Sequence, residues 1–241
     1  MHRFYLPRKI NGETASISDT GQMHHIRDVL RLQVGDQIAL FDAEGLEYLG
    51  AIDSISREQA VVRILTRKPA PAKTCELAVA CAIPKKSRMD DIVDKLTQLG
   101  VDSIIPLETE RAIVKMDKNG PNRLERWRKI ARNAAEQSRR NTLPLIPAAM
   151  SLPEVLAQSK NYRLKLIPSL AGDRKPLREI LAESKPESVL ALIGPEGDFT
   201  AQEIDQAIGA GFVPVSLGAT VMRVETAAIA VAAYIRLALG N

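Results

Sequence analysis

Apolar positions change their spacing about a third of the way along the chain. Up to about residue 68 they fall in short runs between turn residues. Gln37 to Phe41 and Tyr48 to Ile55 flank Asp42-Ala43-Glu44-Gly45, a hairpin pattern. Val34-Gly35-Asp36 marks another turn, and Gln59 to Thr66 reads as a third strand. A helix is predicted between Thr20 and Leu32. Short strands in so small a space predict a compact barrel. Lys68-Pro69-Ala70-Pro71-Ala72-Lys73 then breaks the pattern, since alternating Pro and Ala favours an extended linker. The expected division is a β-rich domain over 1–68, a linker over 69–73 and a second domain over 74–241.

Beyond the linker, strand and helix patterns alternate, which predicts an α/β domain. Strands are expected at Glu76 to Ile83, Asp102 to Leu107, Tyr162 to Pro168, Ser188 to Ile193 and Phe212 to Leu217. Met89, Ile92, Val93, Leu96 and Leu99 form one helical stripe. Ser87 and Asp90 stand at capping-box spacing before it, and Gly100 stands after it. Pro121 opens a long helix to about Arg140, with Leu124, Trp127, Ala131 and Ala134 as its buried side. Helices also follow from Leu177 to Ala182, from Ala201 to Ala210 behind a Thr200/Glu203 capping box, and from about Glu225 to Leu239.

Charge and cysteine content narrow the class. Lys and Arg (33) exceed Asp and Glu (29) only slightly, so placement matters more than the net +4. Pro84-Lys85-Lys86-Ser87-Arg88 ends the first strand of the second domain. Arg123, Arg126, Arg128, Lys129, Arg132, Arg139 and Arg140 crowd a helix with few acids, so a phosphate-binding surface and a solvated face are both open. Cys75 and Cys81 share one predicted strand at roughly 20 Å separation, beyond disulfide reach. No Cys/His cluster suggests a metal. The stretch Ala227 to Leu239 is too short to span a bilayer and contains Arg236. The N-terminus lacks an apolar signal core. A cytoplasmic protein with no membrane partner is expected.

Two segments carry the densest chemistry, Gly194-Pro195-Glu196-Gly197-Asp198-Phe199-Thr200 and Leu217-Gly218-Ala219-Thr220-Val221-Met222-Arg223-Val224-Glu225. Each follows a strand pattern and precedes a helix pattern, the position at which open parallel sheets place ligands. The first lacks the lysine of a phosphate loop, and its carboxylates repel phosphate. A ligand with a cationic centre, such as S-adenosylmethionine, fits better, although a plain strand-to-helix turn explains the same residues. In the second, Leu217 and Met222 offer walls for an adenine ring and Gly218 admits close backbone approach. Glu225 suits a helix start as a simple cap. Arg223 does not, because a cation is disfavoured there, so it is expected to face an anion or a reacting base.

Taken in order, His24-His25-Ile26-Arg27-Asp28-Val29-Leu30-Arg31, Lys85-Lys86-Ser87-Arg88-Met89-Asp90, Thr109-Glu110-Arg111, Ala134 to Arg140, Gly194-Pro195-Glu196-Gly197 and Leu217-Gly218 through Met222-Arg223-Val224-Glu225-Thr226 span nearly the whole chain. On these motifs the sequence resembles the RsmE-type RNA methyltransferases of the SPOUT, or α/β-knot, superfamily. The resemblance implies an N-terminal PUA-like RNA-binding barrel and a C-terminal domain with a deep trefoil knot. It also implies a homodimer and S-adenosylmethionine as methyl donor. The expected donor-binding residues are Leu170, Gly194, Glu196, Gly197, Leu217, Gly218, Met222 and Arg223. His25, Arg27, Arg31, Lys85, Lys86, Arg88, Arg111, Arg139 and Arg140 are expected to bind RNA.

The expected product is N3-methyluridine in small-subunit (16S) ribosomal RNA near the decoding centre, within the 30S subunit. Arg223 would stabilise the uracil imidate, with Glu225 or Glu196 as base. No metal is implied. Asp198 stands where the family often has glycine, Gln98 where Glu is common and Val224 where Thr is common. Two alternatives stay open: a SPOUT enzyme acting on another site, such as a transfer-RNA ribose 2′-hydroxyl, and a non-catalytic assembly factor.

Overall fold

Strand-forming runs in the first seventy residues become β1 (Arg3–Leu6), β2 (Thr14–Ile17), β3 (Gln37–Asp42), β4 (Glu47–Ile55) and β5 (Ala60–Lys68). They pair in the order β1-β3-β4-β5-β2. The β1–β3 pair is parallel and the others antiparallel. The computed structural model describes residues 1–70, 73–85, 87–112, 120–170, 172–183 and 185–240. Residues 71–72 of the expected linker, and Lys86, lie outside them.

The β3–β4 turn is built on Asp42. Its Oδ1 accepts N–H bonds from Glu44 (2.9 Å) and Leu46 (3.1 Å), while Gly45 supplies φ +80°. Its Oδ2 accepts the Tyr48 hydroxyl at 2.7 Å. Burial, reinforced by this carboxylate, pushes the Tyr48 pKa up to about 12. Alternate residues such as Ile38, Leu40, Ile52 and Val62 point into one apolar core.

The helix expected over 20–32 is shorter and changes type. Asp19 caps α1 (Thr20–His24) by accepting the Gln22 N–H at 3.0 Å. One π turn, His25–Val29, follows, with Leu30 N–H reaching back to His25 O at 2.8 Å. Arg31 then leaves the helix at φ +54°.

Two compact units divide the chain, 1–72 with 135–143, and 73–134 with 144–241. The return of 135–143 to the first unit has a polar cause. Glu136 accepts Tyr5 N–H (3.0 Å) and Gln22 Nε2 (2.9 Å), and Arg3 bridges Glu47 and Asn141. No local periodicity carries such a return, so the sequence suggested a single cut.

In the second unit β6 (Glu76–Ala82), β7 (Ser103–Glu108), β8 (Met150–Ser151), β9 (Leu164–Pro168), β10 (Lys175–Pro176), β11 (Ser188–Ile193) and β12 (Val213–Ser216) form one parallel sheet, ordered β10-β12-β9-β11-β6-β7-β8. Its inner strands are apolar on both faces, as parallel strands covered by helices must be. Leu77, Val79 and Cys81 of β6 meet α2 (Arg88–Gln98), α3 (Gly120–Ser138), α5 (Leu177–Glu183) and α7 (Val224–Leu239). Ala78 and Ala80 face the opposite cluster, with α4 (Leu152–Gln158) and α6 (Ala201–Gly209). Ile92, Val93 and Leu96 of α2 are fully buried, each contributing about 1.5–3 kcal/mol relative to exposure.

The Thr200/Glu203 capping box forms, with bonds of 2.9 and 3.2 Å. The one expected at Ser87 does not. Ser87 makes no side-chain cap bond: at φ −86° and ψ 10° its own carbonyl takes the Asp90 N–H at 2.9 Å, and the Asp90 carboxylate pairs instead with Arg126 on α3. The mixed α/β fold thus matches the sequence, except that β1, β2, α4 and the two-residue strands β8 and β10 were not anticipated.

Arg236 of α7 is buried at 9% exposure. It donates to Cys75 O (2.7 Å), Gly100 O and Asp102 Oδ2 (2.8 Å). At the end of that helix Thr74 Oγ1 donates to Gly240 O at 2.6 Å. Among the described residues no helix is long and apolar enough to cross a membrane.

Candidate active site

Strands β12, β9 and β11 are neighbours and parallel, so the loops leaving them open at one edge of the sheet. From β11 the chain passes through α6 and returns to β12, on the far side of β9. That reversal is where open α/β sheets leave a crevice. Here the crevice is a cavity walled by Pro168 at the end of β9, Ser169 and Leu170 after it, Gly194 to Glu196 and Asp198 after β11, and Leu217, Gly218 and Thr220 to Met222 after β12.

Six of the expected donor residues line it: Leu170, Gly194, Glu196, Leu217, Gly218 and Met222. Gly197 and Arg223 do not. Gly218 takes φ +123°, a backbone conformation that side chains disfavour, with open space where a Cβ would stand. Gly194 is glycine for a different reason. A Cβ there would meet the Phe199 ring at 3.0 Å, and Phe199 is buried.

The charges around the cavity converge on Arg88, at the first turn of α2. Its Nη1 lies 3.3 Å from Glu196 Oε1 and its Nε lies 3.9 Å from Glu225 Oε1. One guanidinium therefore sits between the carboxylate of the loop after β11 and that of the first turn of α7, 29 residues apart. The second oxygen of Glu225, Oε2, is buried and has no hydrogen-bond partner among the described residues. Behind them, at the end of β6, burial and then the fields of Glu225 and Glu196 push the Cys81 thiol pKa far up, leaving it an inert thiol. Arg223 is the N-cap residue of α7. Its side chain is exposed, makes no cap bond and has no hydrogen bond or ion pair among the described residues.

The basic residues expected to bind RNA separate into engaged and free groups. Arg111 donates to Gly197 O (2.8 Å) and Phe199 O (3.4 Å), holding the loop after β11 from outside. Arg27 donates to Arg57 O at 2.9 Å, and Arg140 Nε to Thr142 at 3.1 Å. His25 lies edge-on to Phe4 at 6.3 Å. Lys85, Arg31 and Arg139 are exposed, with Arg31 and Arg139 at positive φ (+54° and +61°). Lys86 is outside the described residues.

The sequence reading missed Ser169, Arg174, Thr220 and Val221 in the cavity wall, and the place of Arg88 between two carboxylates. Arg174 donates to Ser169 O at 2.8 Å, so it also shapes the loop after β9. A signal for Arg88 existed. It is a cation at a helix N-terminus, the same anomaly that singled out Arg223. Among the described residues no group of His, Cys, Asp and Glu could hold a metal ion.

The chain matches known families and solved structures. Residues 71–236 match the RNA methyltransferase domain family and residues 17–65 the RNA methyltransferase PUA domain family. Fold, site and match together define the class: a methyltransferase acting on RNA. Ribosomal RNA small subunit methyltransferase E of Bacillus subtilis (strain 168) is 30% identical over 240 residues, covering 94% of this chain and 93% of its own. The protein of that name from Synechocystis sp. is 32% identical, over 92% of this chain and 72% of its own. The crystal structure of ribosomal RNA small subunit methyltransferase E from Neisseria gonorrhoeae, bound to S-adenosyl methionine, superposes with a TM-score of 0.87 at 33% identity, covering 98% and 97% of the two chains. The chain belongs to the ribosomal RNA small subunit methyltransferase E family.

Proposed function

We propose that this protein methylates N3 of a uridine in small-subunit ribosomal RNA near the decoding centre, using S-adenosylmethionine. The observation that carries the reading is the cavity at the strand reversal, with two carboxylates held together at its edge.

The residues present fit that donor. Leu217, Met222 and Val221 give apolar walls for an adenine ring, and Gly218 leaves backbone groups accessible. Glu196 in the wall suits a cation and repels phosphate. When bound, S-adenosylmethionine supplies an electrophilic methyl group on a sulfonium. The chain supplies alignment, which accounts for much of the barrier reduction in such transfers.

Uridine N3 carries a proton at neutral pH and must lose it to become nucleophilic. Glu225 Oε2, buried and unpartnered, is an acceptor waiting for an N–H donor, and it is the base in this reading. Glu196 is the orienting partner. Arg88 holds both carboxylates, which fixes the direction in which Oε2 points. Arg223, exposed and unpartnered, stabilises the negative charge left on the uracil or the adjacent phosphate. Because N3 lies on the pairing edge, the base must enter unpaired or flipped out.

The exposed cations Lys85, Arg31 and Arg139 are suited to phosphate contacts, and the substrate is the assembled 30S subunit. The outer side of α7 supports a homodimer. Leu237 is 84% exposed and Tyr234 41%, an apolar face suited to burial against a second copy. The working compartment is the cytoplasm, where that substrate is found.

The test is nucleoside mapping of ribosomal RNA from a deletion strain complemented with the wild-type or Arg223→Ala gene. N3-methyluridine should disappear on deletion and return only with the wild type. A ribose-methylated product, or an unchanged nucleoside profile, would defeat the reading.

A further inference from the structure

The ladder between β9 and β11 stops early. Its last pair is Ala191 with Leu166, although β11 runs to Ile193 and β9 to Pro168. On its other side β9 stays paired with β12 through Val215 and Pro168, and Ser169 N–H continues toward Val215 O at 3.4 Å. The sheet therefore opens between β9 and β11 where the cavity begins. The next backbone donor beyond β9, Leu170 N–H, finds an acceptor across the opening that is a side chain, Asp198 Oδ2 at 2.8 Å.

Asp198 is built for this reach. It sits at φ +59°, which places its side chain where an ordinary extended residue could not, and which Asp tolerates better than most residues. Its own N–H closes a turn on Pro195 O at 2.9 Å. Its other oxygen, Oδ1, accepts Phe199 N–H at 2.8 Å, and Phe199 is buried beneath Gly194. One carboxylate thus anchors to the core through Phe199 and holds the facing loop through Leu170. Both Asp198 and Leu170 line the cavity.

We propose that Asp198 is a positioning residue of the donor cavity. It is a side-chain tie that takes over from the missing β9–β11 ladder bonds and sets the distance between the two loops. The inference rests on the donor reading above. It assigns the carboxylate to the protein's own backbone rather than to the cationic part of the donor.

Two substitutions in the full chain separate these roles. Asp198→Gly keeps the turn, since glycine takes φ +59° freely, but deletes the tie. Asp198→Asn removes the charge and keeps one acceptor oxygen, enough for Leu170 N–H but not also for the local bond from Phe199 N–H. S-adenosylmethionine affinity by calorimetry should fall about tenfold in Asp198→Gly, near the upper end of one net hydrogen bond. In Asp198→Asn it should stay within about threefold of wild type. In the donor-free protein, amide exchange at Leu170 should accelerate at least about tenfold in Asp198→Gly, since its bond is lost.

Equal weakening in Asn and Gly, with Leu170 exchange in Asp198→Asn as slow as in the wild type, would mean that charge, not the tie, sets affinity, and would overturn the inference. Unchanged Leu170 exchange in Asp198→Gly would overturn it as well. Failure of the wild type to bind S-adenosylmethionine would instead overturn the donor reading on which it stands.

Discussion

Arg223→Ala isolates chemistry from folding, because the structure gives this side chain nothing to hold. The guanidinium is exposed, makes no cap bond and has no partner among the described residues. Its removal leaves no buried group unsatisfied, so folding stability should change by less than about 0.5 kcal/mol. Arg223 is not in the cavity wall, so S-adenosylmethionine affinity should stay within about threefold. Lost charge stabilisation on the uracil is a different magnitude. Removing one such donor typically costs on the order of 100- to 1000-fold in rate, about 3–4 kcal/mol of barrier. The assay is single-turnover methylation of small ribosomal subunits from cells lacking the enzyme, at saturating donor, with calorimetric donor affinity and thermal melting in parallel. Near-normal rates would remove Arg223 from the mechanism. A melting loss of several degrees would show that the residue is structural.

Arg88→Gln should slow the same reaction strongly while leaving the salt dependence of RNA binding unchanged, since its guanidinium is engaged by Glu196 and Glu225; a flattened salt slope would instead make it a phosphate contact. Charge reversal at Arg31 or Arg139 should lower the salt slope by roughly one unit per lost phosphate contact, read by binding titrations at several salt concentrations, and an unaltered slope would return these residues to ordinary solvated surface. Gly194→Ala should destabilise by about 1–3 kcal/mol, because the new methyl meets the buried Phe199 ring at 3.0 Å; an unshifted melting temperature would contradict that packing. Asp102 gives a pH signature. Burial raises its pKa, but Lys73, the Leu77 N–H and Arg236 outweigh burial and leave it below the usual value. A depressed folded pKa means stability that is present above the unfolded value of about 3.9 and lost as pH falls through the folded one. Urea denaturation should therefore show the wild type's advantage over Asp102→Asn shrinking below about pH 4, and a constant gap would refute the linkage.

Elements whose signal is local could be read from the chain. β11 is a run of five apolar residues opened by Ser188, with turn residues on both sides, and its observed bounds, Ser188–Ile193, coincide with the expected ones. The Thr200/Glu203 box needs only residues three apart, and it forms. Ser87 and Asp90 show where that logic stops. Their spacing is identical, but Arg126, from a helix 36 residues on, takes the acid. The strands β8 and β10 have two residues each, too few for any period to register. The two loops of the site were legible because glycines and charges cluster in sequence. The grip of Arg88 on Glu196 and Glu225 was not, because the three residues meet only after β6, β11 and α7 have packed. The role of Asp198 was hidden differently: its meaning lies in a backbone angle, and a letter code carries no angles.

Thr74, which precedes β6, is hydrogen-bonded to Gly240, which follows α7. The start of β6 and the end of α7 therefore lie at one point in space. This makes the parallel-sheet unit a candidate for circular permutation. A short bridge could close 240 onto 74 without stretching the chain, and new ends could be opened in an exposed turn away from the cavity. Such a permutant changes the order in which β6 and α7 emerge during synthesis while keeping every contact around the carboxylate pair. Comparing its refolding rate with that of the native order would separate the effect of chain connectivity on folding from that of the final packing.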